Sequence, residues 1–167
     1  MEHKINDVIK LVPIAEDYAA AIFKAFDQEV ITYLPLDAPP ARIEDTIAFI
    51  KHSKEQMENE TDLVWVILLK NEFAGCCGIH GIPSRQPHFG LWIGAKAQGQ
   101  GVGKAVVRYV LDWGISNLDV EYIKYPVDKR NSKSIQLIHG LGLKASDNYV
   151  MGDQKKLDII EYRLYKT

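Results

Sequence analysis

The sequence predicts an α/β fold of the α+β type: a mixed, mostly antiparallel sheet of six to seven strands flanked by about four helices. Three observations support this. Strand-like segments follow one another across short turns between residues 63 and 93, as in an antiparallel meander. A glycine-rich turn at residues 99–103 then opens a helical pattern that leads into another strand, which is a strand–helix–strand crossover. The remaining segments do not repeat that unit, so a regular parallel βαβ array is excluded.

Each element follows from its own pattern. Val8 to Pro13 is a short strand. Ala15 to Phe26 is a helix: Tyr18, Ile22 and Phe26 recur every four residues, and Asp17 suits the positive end of the first turn. Pro35, Pro39 and Pro40 make residues 32–40 a loop. Ile43, Ile47 and Ile50 form the apolar face of a second helix, whose charged remainder runs from Lys51 to Glu60. Leu63 to Leu69 reads as a buried strand, and Lys70-Asn71-Glu72 turns it into a partner from Phe73 to Ile82. Pro83 to Pro87 is a connection, and His88 to Ile93 the next strand. Val102, Val106, Val110 and Trp113 stripe a helix ending near Asn117. A strand from Val120 to Val127, a helix from Asn131 to Leu141, and strands at Lys144 to Met151 and Leu157 to Leu164 complete the order. Asp158, Glu161, Tyr162 and Arg163 read as a solvated face or a sheet edge, with a homodimer contact as the alternative.

Composition narrows the function. The chain has 167 residues, 47% hydrophobic and 25% charged, which suits one domain spanning residues 1–167 with its own core. A net charge of -2 without a Lys/Arg stripe argues against nucleic acid as a partner. No apolar run approaches the roughly 18 residues of a membrane span. No secretory leader is read at Met1-Glu2-His3-Lys4, so a cytoplasmic protein is expected. Cys76 and Cys77 are adjacent, which on a strand sends them to opposite faces. They are expected to be reduced packing residues, and no metal site is expected.

The segment with chemical content is Phe89 to Lys104. The first amides of a helix lack intrahelical partners, and their partial positive charge attracts phosphate. Gly99, Gly101 and Gly103 permit unusual φ angles and close approach of the backbone to a ligand. A phosphate-bearing cofactor is therefore expected at Gln98-Gly99-Gln100-Gly101-Val102-Gly103-Lys104. A P-loop needs Gly where Gln98 stands, and Ser or Thr where Ala105 follows Lys104. A dinucleotide fingerprint needs Gly-x-Gly-x-x-Gly in a parallel unit, whereas the spacing here is Gly-x-Gly-x-Gly.

Gln98, Gly101 and Gly103 match the Gln/Arg-x-x-Gly-x-Gly/Ala turn of the GNAT N-acetyltransferase superfamily, which the chain resembles. Further matches are Asn131-Ser132-Lys133-Ser134, like the Asn-x-x-Ser helix start, and Gly140-Leu141-Gly142-Leu143, like the Leu-Gly-Phe turn with Leu143 in place of Phe. Gly90-Leu91-Trp92-Ile93-Gly94 resembles the RimJ/RimL-type branch, which acetylates protein N-terminal amines and has relatives that accept small amines. These motifs span about residues 88 to 143.

The resemblance implies acetyl-CoA as cosubstrate and a primary amine as acceptor, a small molecule or a peptide N-terminus. It implies a splayed sheet that takes the pantetheine arm along Trp92 and Ile93, with Tyr122 to Val127 opposite, and a backbone N–H near Trp92 or Ile93 as oxyanion donor. His88 stands where the branch often has Glu, so it is the expected base, with an imidazole that titrates near neutrality. His80, on the preceding strand, is the second candidate and an expected acceptor contact, and a water chain is the remaining option for the base. Ser134 is the implied acid toward the leaving sulfur and a cofactor contact, and Asn131 bonds the cofactor or caps its helix. Tyr33, Leu34, Pro35 and Leu36 are the expected lip of the acceptor site. The competing readings are a CoA-binding module without catalysis, and another nucleotide-binding enzyme that shares the glycine turn.

Overall fold

A computed structural model describes residues 1–167. It contains one sheet of eight strands in the order β1-β2-β3-β4-β5-β6-β8-β7 and four α-helices. The strands are β1 (His3–Lys4), β2 (Ile9–Pro13), β3 (Asp62–Leu69), β4 (Glu72–His80), β5 (His88–Ile93), β6 (Tyr122–Asp128), β7 (Lys144–Met151) and β8 (Leu157–Tyr165). The helices are α1 (Ala19–Ala25), α2 (Ile43–Glu58), α3 (Val102–Asn117) and α4 (Ser132–Leu137). No helix is long and apolar enough to cross a membrane. The strand beyond the six to seven expected is β1, whose two residues are too few to show a period.

Only β5 and β6 run parallel, joined by the α3 crossover; every other neighbouring pair is antiparallel. The β3–β4 hairpin turns on Lys70 and Asn71, both left-handed at φ 51° and 66°, the pairing that a tight two-residue hairpin requires. The sheet is covered on both faces. Val64, Val66 and Cys76 pack with Ile22 of α1 and Ile50 of α2. Trp65, Ile67, Cys77, Ile79 and Phe89 pack with Val106 and Val110 of α3. The two cysteines are free and buried in different clusters, as their alternation on β4 requires. Each fully buried aliphatic side chain of α3 is worth about 1.5–3 kcal/mol, and that packing holds the helix on the sheet.

Three local expectations change. The helix expected over Ala15 to Phe26 is a 3-10 turn at Glu16–Tyr18 followed by α1. The helix at Asn131–Leu141 shortens to α4, because Asn131 is its N-cap and Gly140 and Gly142 are left-handed at φ 82°. The strand with Glu161 and Arg163 is not an edge, since β8 lies between β6 and β7. Glu161 is buried and held by Arg163 Nε at 2.7 Å and by the Tyr149 hydroxyl at 3.1 Å.

Candidate active site

The glycine turn lies between β5 and α3. Gly99 and Gly101 are both left-handed at φ 77°, and Gly101 is the residue from which α3 starts. Nothing stands within 4 Å of the Cβ position at either one, so the space outside the turn is open. The free amides at the start of the helix, from Val102, Gly103 and Lys104, face that space unpaired. Gly103 has a different role: a Cβ there would stand 3.2 Å from Leu137 Cδ1, so its absence lets α3 approach α4. The two glutamines fold back on the turn. Gln98 Nε2 donates to the Ile93 carbonyl at 2.9 Å, and Gln100 Nε2 to the Lys96 carbonyl at 3.1 Å. They brace the loop, and a phosphate here is met by backbone. Lys104 is exposed and, with Gly101, lines a groove of about 710 Å³ that runs along α3 past Tyr109 and Trp113, beside Ile5.

From this turn a cleft runs into the sheet. β5 and β6 pair at one position only, His88 with Lys124. The Lys124 amide donates to the Pro87 carbonyl at 2.8 Å, which fixes the even-numbered residues of β6 as those facing β5. The next of these is Pro126, which has no N–H to donate, so the ladder stops there. On β5, Gly94 donates to the Ala74 carbonyl at 2.8 Å, so the even-numbered residues face β4. The Trp92 carbonyl crowds Gly75 on that side. Trp92 therefore turns its amide away from the cleft. The donors that face the cleft are Leu91 and Ile93; of the two expected, Ile93 faces it and Trp92 does not. The Trp92 ring packs on Phe26 with centroids 4.9 Å apart. At about 3.3 Å per residue the open edge from Phe89 to Ile93 spans roughly 13 Å.

Titratable groups flank this cleft on both faces. Asp62, His80 and His88 stand directly opposite one another on β3, β4 and β5, and so project to one face, that of α1 and α2. His80 Nδ1 lies 2.7 Å from Asp62 Oδ2, and the carboxylate is buried. The His80 ring leans over Gly78, where a Cβ would come 2.8 Å from Nε2, and reaches toward Gly90, where it would be 4.0 Å away. The two glycines make a bare floor beside the cleft. His88 stacks at 5.1 Å on His80 and keeps a solvent-exposed edge. Crowding of the ring, then the charges of His80 and Lys124, lower its pKa from the ordinary value, and Asp62 pulls the other way.

On the opposite face, Phe89 of β5 stacks on Tyr125 of β6 at 5.9 Å and 15°. Burial raises the Tyr125 phenol above its ordinary pKa, and a hydrogen-bonding influence from Ser134 acts against that. The phenol is thus protonated at neutral pH, beside Ser134. Asn131 caps α4 by accepting the Ser134 amide at 3.2 Å.

The α1–α2 loop is tied to the segment after β6 and to the β7–β8 turn. Arg130 stands 5.7 Å above the Tyr33 ring, and its guanidinium meets Asp128 at 2.8 and 3.0 Å. This contact with Arg130 is the first cause of the lowered pKa of Asp128. Lys155, from the β7–β8 turn, donates Nζ to the Ile31 carbonyl at 2.6 Å and its amide to Asp37 at 2.7 Å. Tyr33 and Leu34 are half-buried by these ties, while Pro35 and Leu36 remain exposed. Sequence reasoning missed Asp62 and placed Tyr125 and Pro126 only within the strand opposite Trp92, because each takes its neighbours from segments far along the chain.

The model of the acetyltransferase (GNAT) domain matches residues 9–144, and the chain belongs to that family. No curated protein matches it in sequence. Among solved structures, it is similar to the RimL ribosomal L7/L12 alpha-N-protein acetyltransferase in complex with coenzyme A. That structure superposes with TM-score 0.85 at 16% identity, over 99% of this chain and 98% of the other. The microcin C7 self-immunity acetyltransferase MccE, in complex with acetyl-CoA and AMP, gives TM-score 0.85 at 23% identity over 97% and 94%. The spermidine N-acetyltransferase of Vibrio cholerae, with CoA and spermine, gives 0.81 at 15% identity over 96% and 97%. These likenesses establish a shared fold.

Proposed function

We propose that this chain transfers the acetyl group of acetyl-CoA to a primary amine by direct attack while both substrates are bound. The observation that carries this reading is the cleft between β5 and β6, which begins at a phosphate-ready helix start and ends at the single His88–Lys124 pairing. Its two strand edges offer unpaired backbone to an extended amide-bearing arm. The acceptor is a protein N-terminus, a polyamine or another small amine. The relatives above act on a ribosomal protein in one case and on spermidine in another.

Acetyl-CoA supplies an activated acyl group and a thiolate leaving group. The chain's residues do the rest. Amides 102–104 hold the pyrophosphate, and the Leu91 and Ile93 amides pair with the arm or with the oxygen that gains charge. An imidazole on the α1/α2 face takes the amine proton, and Ser134, backed by Tyr125, gives one to the departing sulfur. Donor and acceptor of protons thus lie on opposite sides of the sheet with the reacting bond between them.

Thiol release from acetyl-CoA in the presence of a panel of amines tests the reading. Amine-dependent release supports it. Binding of acetyl-CoA without release for any amine would leave only a CoA-binding module. A second check concerns the cleft itself. Pro126→Val supplies the missing N–H and lets β6 pair further with β5, so acetyl-CoA should bind about tenfold more weakly. The thermal midpoint of the free protein should not fall. Unchanged affinity would mean that Pro126 does not hold the cleft open.

A further inference from the structure

We propose that Asp62 is a positioning residue for acetyl transfer: its carboxylate fixes the His80 ring so that Nε2, over the Gly78–Gly90 floor, takes the proton of the acceptor amine. The inference rests on the acetyl-transfer reading and names the group that serves it, which is His80 rather than the His88 that the sequence points to.

The geometry argues for His80 on three counts. A buried carboxylate must be paired, and the partner of Asp62 is His80 Nδ1 at 2.7 Å. An Nδ1–H donated to a carboxylate commits the neutral ring to the tautomer with a lone pair on Nε2. That nitrogen is aimed along the sheet toward Gly90, one residue before Leu91, whose amide faces the cleft. No side chain at 78 or 90 stands between Nε2 and the cleft edge, so an amine can lie on the floor between them. The carboxylate orients His80 and not His88. His88 provides the way out, since its ring lies 5.1 Å from His80 and has a solvent-exposed edge. The charged and titratable groups of this cluster are Asp62 on β3, His88 on β5 and Lys124 on β6.

The step balances. R–NH3⁺ gives a proton to Nε2, and the imidazolium is stabilised by the Asp62 carboxylate. The lone pair of R–NH2 forms the N–C bond as the C–S bond breaks, and the thiolate takes a proton from Ser134 or solvent. The amine's second proton leaves to solvent, and His80 returns its proton there by way of His88.

The test is the pH dependence of kcat/KM for the intact chain and three variants, with acetyl-CoA affinity measured alongside. His80→Gln keeps a donor for Asp62 but has no basic nitrogen, so kcat/KM should fall on the order of 100-fold. Asp62→Asn removes the carboxylate that lies 2.7 Å from the ring, so the rate should drop and the acid limb should move to lower pH. Asp62→Glu should recover part of both. Acetyl-CoA affinity should be unchanged throughout. A residue that merely holds β3 to β4 would lower activity through stability and leave the acid limb in place. An Asp62→Asn acid limb at its original pH, or a His80→Gln kcat/KM within about twofold of the original, would overturn the proposal. A chain that binds acetyl-CoA yet acetylates no amine would instead refute the reading beneath it.

Discussion

Gly75→Ala should lower the thermal midpoint by roughly 10 °C, a loss of about 3 kcal/mol for a chain of this length. A Cβ at this buried position of β4 would collide with the Trp92 carbonyl and come within 3.0 Å of Ile93 Cα. Both obstacles are backbone, so no rotamer change relieves the clash and β5 must move off β4. The segment displaced leads directly into the glycine turn. Acetyl-CoA affinity should therefore fall together with stability, although residue 75 lies outside the cleft. A midpoint within about 2 °C of the original would show that the two strands separate cheaply there.

The second large effect is at Gly101. Its φ of 77° disfavours any side chain, by about 1–2 kcal/mol. Its Cβ position is open within 4 Å, so the free chain has room for a larger residue. That room is where the proposed function puts a phosphate against the helix amides. Gly101→Ala should thus lose stability with a small rise in the acetyl-CoA KM. Gly101→Val should lose more stability, as branching worsens the left-handed strain, and raise KM at least tenfold, roughly 1.4 kcal/mol of binding. The kcat at saturation should be retained. Equal KM values for the two variants would assign the effect to strain in the turn and not to obstruction of a phosphate.

The parts of this molecule that were legible in the sequence are those set by local pattern. His88–Ile93, Val102–Asn117 and Lys144–Met151 appear within the boundaries their periodicities imply. The glycine turn was legible because one short segment carries both its φ requirement and its unpaired amides. The capped start of α4 was legible through Asn131 and Ser134. The Asp62–His80 contact was not. Asp62 and His80 are 18 residues apart and meet only through the β3–β4 register, which a bulge between Ile67 and Leu68 shifts. His88 is the base that the resemblance implies, and the alignment that places it says nothing of the carboxylate beside His80. Pro126 lay within the strand expected opposite Trp92, but its effect shows only with β6 beside β5, where it has no N–H to extend the ladder. Glu161 looked exposed because its charge suggested water, whereas Arg163 and Tyr149 satisfy it inside the sheet.

A single structural arrangement supports both the cofactor and the chemical assignments. β5 gives one face of its backbone to β4 and the other to the cleft. Its residues alternate between the histidine face and the face of Phe89 and Tyr125. A ligand lying in the cleft would touch both. The central claim is that acetyl-CoA occupies this cleft with its pyrophosphate at the start of α3. The most direct measurement is the thermal midpoint with acetyl-CoA, using ATP and NAD as controls. At 100 times its Kd, a ligand of the folded state stabilises by about 2.7 kcal/mol, which here is a rise of roughly 5 to 10 °C. A rise with acetyl-CoA that neither control reproduces is the predicted result. No rise at millimolar acetyl-CoA, or an equal rise with ATP or NAD, would contradict the assignment of the cleft.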